Sequence, residues 1–132
     1  MLYVVTGIIY VLFTKIAVNY RPVMMPGETA PEASFPSSHT VQALVIWLSA
    51  AAVIGRYVKN KGLVAVLQVL LPLAGCASVV LRALSGVHWA SDIVGGIGYA
   101  AMLLGWFAFF LFVFRKKRAA AAKKRHIAKQ AV

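Results

Sequence analysis

Four apolar runs separated by polar connections set the pattern of this chain: Leu2–Val18, Thr40–Tyr57, Leu63–Leu84 and Ile93–Phe114. Each approaches the roughly 17–25 residues that a helix needs to cross the hydrocarbon core of a bilayer. The pattern predicts an all-α protein, an integral membrane helical bundle of about four transmembrane helices. Pro72 falls in the middle of the third run and predicts a kink there. Gly95, Gly96 and Gly98 in the fourth run predict the close approach of another helix. The first run begins without Lys or Arg, unlike a secretory leader, and reads as a retained membrane helix.

The connections differ in character. Residues 19–39 carry Pro22, Pro26, Pro31 and Pro36, a proline density that excludes regular helix. Residues 56–62 are short and basic. From Arg115 onward the chain is rich in Ala, Lys and Arg, and the alanines permit the last helix to continue. The chain therefore divides into a membrane domain, residues 1–114, and a basic tail, residues 115–132.

Composition sharpens the membrane reading. The 132 residues are 61% hydrophobic, against about 45–50% for water-soluble domains. The formal net charge is +11. In so apolar a chain that excess predicts contact of the tail with anionic lipids rather than nucleic acid, for which there is no motif and no aromatic interleaving. Cys76 is the one cysteine, so no intrachain disulfide can form, and it reads as a small buried apolar residue. Trp47, Trp106, Phe109 and Phe110 read as lipid-facing or helix-packing side chains, and Trp89 as a neighbour of the polar turn after the third run.

Charge distribution orients the bundle. The loop holding Arg56, Lys59 and Lys61 and the tail from Arg115 are separated by two spans, so they share one membrane face. By the positive-inside rule that face is cytoplasmic, in the plasma membrane of the cell. The opposite, extracytoplasmic face receives residues 19–39 and the turn Arg82–Asp92. Its cations, Lys15, Arg21 and Arg82, escape the topological bias.

That outer face gathers Lys15, Arg21, His39, Arg82, His88 and Asp92. Singly, each has an ordinary reading: a snorkelling lysine, arginines anchoring helix ends, His39 in a helix start capped by Ser37 or Ser38, Asp92 as a helix cap. Together they suit an anionic substrate. Arginine forks bind phosphate oxygens, and two histidines can divide nucleophile and acid roles at phosphorus. His88 and Asp92 are four apart, the spacing at which a carboxylate can hold one ring nitrogen and free the other. No metal-ligand spacing is present, and no cofactor is expected.

These segments resemble the type 2 phosphatidic acid phosphatase superfamily, whose membrane branch dephosphorylates lipid phosphates and diphosphates. Three ordered stretches carry the resemblance: Lys15-x5-Arg21-Pro22, Pro36-Ser37-Ser38-His39 and Leu81-Arg82-x5-His88-x3-Asp92. The lysine spacing is five where the family commonly has six, Ser38 stands where a glycine is usual, and Leu81 where a serine is usual. The resemblance implies His88 as the nucleophile of a phosphohistidine intermediate, Asp92 as the group orienting it, and His39 as the general acid. It implies Lys15, Arg21, Ser37, Ser38 and Arg82 as phosphate ligands, and a reaction without metal. Family members commonly have about six helices and this chain starts at what corresponds to the third, which leaves room for a homo-oligomer or another subunit. The substrate expected is a lipid phosphate: phosphatidic acid, phosphatidylglycerophosphate or a polyprenyl diphosphate. An inactive homologue that binds lipid phosphate and a small four-helix transporter are the alternatives.

Overall fold

The structure is a computed structural model that describes residues 1–24 and 26–130, with the side chains of residues 124–126 and 128–130 outside the description; His126, read above as part of the tail, is among these. Four α-helices are present: α1 (Leu2–Lys15), α2 (Ser38–Val53), α3 (Lys61–Leu84) and α4 (Ala90–Gln130). A single turn of 3-10 helix, Ile54–Arg56, follows α2. The all-helical bundle predicted from the apolar runs is the observed fold.

Among the described residues, three helical stretches are long and apolar enough to cross a membrane: Ser38–Arg56, Lys61–Leu84 and Ala90–Lys123. The first run departs from expectation. Its helix stops at Lys15, and Ile16 turns extended with φ −107° and ψ 91°. Fourteen residues reach about 21 Å at 1.5 Å per residue, short of a hydrocarbon core about 30 Å thick. Apolarity continues to Val18 after the helix has ended.

α2 is the central element. It packs along α3 and α4, while α1 lies lightly against α2 and α4 and α3 barely meets α4. The core is a cluster of Leu2 from α1, Val41, Leu44 and Val45 from α2, and Ala100 and Leu103 from α4. Small residues set the helix spacing. A Cβ on Gly75 of α3 would lie 3.3 Å from Trp47 Cβ of α2. One on Gly96 of α4 would meet Thr40 Cβ at 2.9 Å and the Ser37 carbonyl at 3.0 Å, and one on Gly95 would collide with the ring of Phe35. Gly98 meets nothing within 4 Å, so close packing accounts for two of the three glycines in that run.

The outer surfaces are apolar. Leu63, Val66, Leu70, Leu73, Val80 and Leu84 of α3 are all exposed, and Gly75 is its buried residue. A helix apolar on its solvent side is suited to lipid. Cys76 is exposed on this helix, contrary to the expectation that it is buried. α3 runs through Pro72 without interruption and starts on a capping bond from the Leu63 amide to the Asn60 side chain at 3.1 Å. α4 is one helix of 41 residues that carries the apolar run directly into the basic tail.

Candidate active site

The site forms where residues 16–37 cross the ends of α2 and α4. The loop has no helix but is held by a short antiparallel clasp. Tyr20 bridges Ala33, the Arg21 amide donates to the Glu32 carbonyl at 3.0 Å, and the Ser34 amide donates to the Asn19 carbonyl at 2.8 Å. The Phe35–Pro36 peptide is cis. Phe35 lies over Gly95 and edge-on to Phe13, which in turn meets Tyr99 edge-on, so one aromatic chain joins α1, the loop and α4.

A hydrogen bond from the Ser37 amide to the Asp92 carbonyl, 3.0 Å, ties the start of α2 to the first turn of α4. Asp92 is fully buried. It is not the cap itself. α4 begins at Ala90, and the Asp92 carboxylate reaches back to accept from the Trp89 amide at 3.0 Å, the return half of a capping box. The same oxygen, Oδ2, faces His88 Nδ1 at 3.4 Å, and Oδ1 faces the Asn19 amide nitrogen at 3.5 Å. His88 lies in the turn before α4, not on the helix. Its four-residue spacing from Asp92 still produces the contact.

The other face of the imidazole meets Arg82, whose Nη2 is 3.0 Å from His88 Nε2. A guanidinium can only donate. Nε2 is therefore the acceptor, and the ring proton sits on Nδ1, toward Asp92. Burial, first, and then the Arg82 charge hold the His88 pKa below the ordinary 6.5; the hydrogen bond and charge of Asp92 oppose this, and Arg21 adds to it. The side chain is only 3% exposed. Burial and Arg82 together favour a neutral imidazole whose Nε2 lone pair accepts from the guanidinium.

A cleft of about 300 Å³ opens beside this turn. Among the residues proposed from sequence, Arg21, Ser38, His39 and His88 line it. Asp92 and Arg82 stand behind His88 rather than on the cleft wall. Ser37 is fully buried, its amide committed to Asp92 and its hydroxyl accepting from Thr40 at 3.1 Å. Lys15 is exposed at the end of α1 beside Val11 and Leu12, in a separate shallow depression, and does not line the cleft.

Several neighbours escaped the sequence reading. Glu32 lines the cleft and pairs with Arg21 at 2.7 Å. Ser34, buried, also lines it. Trp89, expected from the sequence beside this turn, donates its Nε1–H to the Tyr20 carbonyl at 2.8 Å, fastening the loop to the start of α4. Among the described residues, the buried side-chain polar atoms without a partner are Arg21 Nε, Arg82 Nε and Ser34 Oγ. All three belong to residues that line or adjoin this one cleft, where buried donors are expected to find an acceptor. Among the described residues no group of three or more His, Cys, Asp or Glu side chains is placed to hold a metal ion.

The PAP2 superfamily model matches residues 1–120, which include every element of this site. The chain belongs to the PAP2 superfamily. PAP2 superfamily members are phosphatases, hydrolases that act on phosphate esters. No curated protein and no solved structure gives a significant match to the chain. The PAP2 match and the three long apolar helices together make this a membrane-associated member of a phosphatase superfamily.

Proposed function

We propose that this PAP2 superfamily protein is an integral membrane lipid phosphatase that hydrolyses a lipid phosphate through a phosphohistidine, without a metal ion. The observation that carries the reading is His88, gripped between Asp92 at Nδ1 and Arg82 at Nε2 beside a cleft lined by a second histidine. Proton and lone pair are sorted before substrate arrives.

The reaction follows from those positions. A substrate phosphate entering the cleft draws the Arg82 guanidinium from Nε2 onto its own oxygens, since a dianion is the stronger acceptor. The freed Nε2 lone pair attacks phosphorus, and the bond to the lipid oxygen breaks. His39 protonates the departing oxygen to release the lipid alcohol. Asp92 stabilises the imidazolium that attack would otherwise leave uncompensated. His39, now a base, takes a proton from water, which attacks phosphorus, releases inorganic phosphate and restores His88. Arg21, Arg82, Ser38 and Ser34 supply the phosphate donors. Ser37 contributes by stapling α2 to α4, and Lys15 acts from outside the cleft, at the membrane interface.

The apolar part of the cleft, with Ile9, Phe13, Phe35 and Val41, suits a hydrocarbon-bearing alcohol. This favours a lipid over a soluble ester. The positive-inside bias supports a site on the extracytoplasmic face, with the tail in the cytoplasm against anionic lipid, and the reading places the protein in the plasma membrane.

The test is phosphate release from lipid phosphates by the purified chain in detergent, with a chelator present. Release is expected from the wild type and not from His88→Ala. Wild-type release from His88→Ala, or activity abolished by the chelator, overturns the reading.

A further inference from the structure

Glu32 is one of three acidic residues in the chain, and the one that lines the cleft. Its carboxylate lies 2.7 Å from Arg21 Nη2. The Glu32 side chain is half exposed while that of Arg21 is 16% exposed, so the carboxylate takes the outer end of the guanidinium and leaves the buried Nε edge unpartnered. The pair is held from the backbone as well, by the bond from the Arg21 amide to the Glu32 carbonyl. Glu32 is thus a fixed part of the cleft wall.

We propose that Glu32 makes this cleft selective for substrates with a single phosphate, phosphate monoesters, over substrates with two linked phosphates. The proposal rests on the phosphatase reading above and deepens it. Arg21 and Arg82 are the cations at the site, and Glu32 and Asp92 the anions, so the side-chain charges cancel before substrate enters. Lys15, the remaining cation of this end of the bundle, is outside the cleft. One phosphate can use the two unpartnered guanidinium edges. A second phosphate finds no further cation among the described residues that line the cleft and brings more negative charge into a partly desolvated cleft that already holds a carboxylate. Like charges a few ångströms apart in such surroundings repel strongly. A monoester instead continues directly into an uncharged alcohol, which matches the apolar wall of Ile9, Phe13, Phe35 and Val41.

Steady-state kinetics on the full-length chain in detergent micelles test this, with a lipid phosphate monoester and a lipid diphosphate compared for wild type, Glu32→Gln and Glu32→Asp. The wild type is expected to prefer the monoester in kcat/KM by at least about tenfold. Glu32→Gln is expected to narrow that preference at least about tenfold, chiefly through a lower KM for the diphosphate, and Glu32→Asp to retain it. An unchanged preference in Glu32→Gln overturns the proposal. So does an equal gain for both substrates, which makes Glu32 only a counter-ion of Arg21. A measurement on the wild type needs no variant to fold: inorganic pyrophosphate is expected to inhibit no more tightly than inorganic phosphate, and tenfold tighter inhibition by pyrophosphate overturns the proposal. His88→Ala separates the two levels. If it is inactive while Glu32→Gln leaves selectivity untouched, the phosphatase reading stands and this inference falls. If it remains active on both substrates, both fall.

Discussion

Arg82 Nη2 sits 3.0 Å from His88 Nε2, on the side of the imidazole opposite Asp92. One cation therefore fixes the tautomer of a neutral histidine without any change of its protonation, because an arginine has no acceptor to offer the ring. The same contact covers the Nε2 lone pair.

Replacing Arg82 by Lys should cost more than a conservative change suggests. The ammonium cannot present a planar fork to both the ring and a phosphate. We expect kcat/KM for a lipid phosphate to fall about 100-fold, while the ¹⁵N shifts of His88 keep the Nδ1–H form, because an ammonium is also a donor without an acceptor. Wild-type kcat/KM in Arg82→Lys would argue that the planar fork is not needed.

The acidic limb of the pH–rate profile should report His88. Its pKa lies below 6.5, and the attacking form is the neutral one. Activity should thus be lost on acidification only after pH has fallen past 6.5. Asp92 raises the His88 pKa, so Asp92→Asn should move the limb further toward acid while lowering kcat by about 10²–10⁴, since the imidazolium formed on attack loses its compensating carboxylate. A limb that moves toward alkaline pH contradicts this assignment.

Ser34→Ala separates a phosphate ligand from a packing residue. The Ser34 hydroxyl is buried and unpartnered, so removing it relieves an unsatisfied group and should leave thermal stability equal or higher. If the hydroxyl meets the substrate phosphate, KM should rise about five- to tenfold, as expected for a net hydrogen bond of about 1 kcal/mol. Unchanged KM would exclude that contact.

The glycines of α4 give a structural prediction. Gly95→Ala drives a methyl into the Phe35 ring, and Gly96→Ala into Thr40 and the Ser37 carbonyl. Each should destabilise the protein by about 1–3 kcal/mol, the usual range for overpacking, measured by thermal unfolding in detergent. Phe35→Ala should rescue Gly95→Ala but not Gly96→Ala, whose obstacles include backbone. Gly98→Ala should be silent.

Sequence carried the helices well because a bilayer demands long apolar runs, and α2, α3 and α4 satisfy it. It also singled out Arg21, His39, Arg82, His88 and Asp92, because helices that cross a bilayer return polar segments far apart in sequence to one face. It could not read the sides of the helices. In a membrane protein the outside is as apolar as the core, so nothing in the residue type of Cys76 announces that it is exposed. The direction of Lys15 depends on where α1 ends, and apolar residues continue past the turn at Ile16, so hydropathy does not mark the helix end. Glu32 and Ser34 reach the cleft through the pairing of Tyr20 with Ala33, across a proline-rich loop with no periodicity to betray a pairing. The opposing roles of Ser37 and Ser38, one buried and one on the cleft, hang on a single turn into α2.

The bond from the Ser37 amide to the Asp92 carbonyl has an electrostatic consequence. It brings the starts of two helices, α2 and α4, to the same end of the bundle beside the cleft. The aligned peptide dipoles of each helix amount to about half a positive elementary charge at its N-terminus. Ser37, at the cap position of α2, spends no side-chain bond on that helix's first amides. With the four side-chain charges balanced, the peptide backbone adds positive potential at this end of the bundle. No side-chain substitution deletes that charge and no physiological pH titrates it.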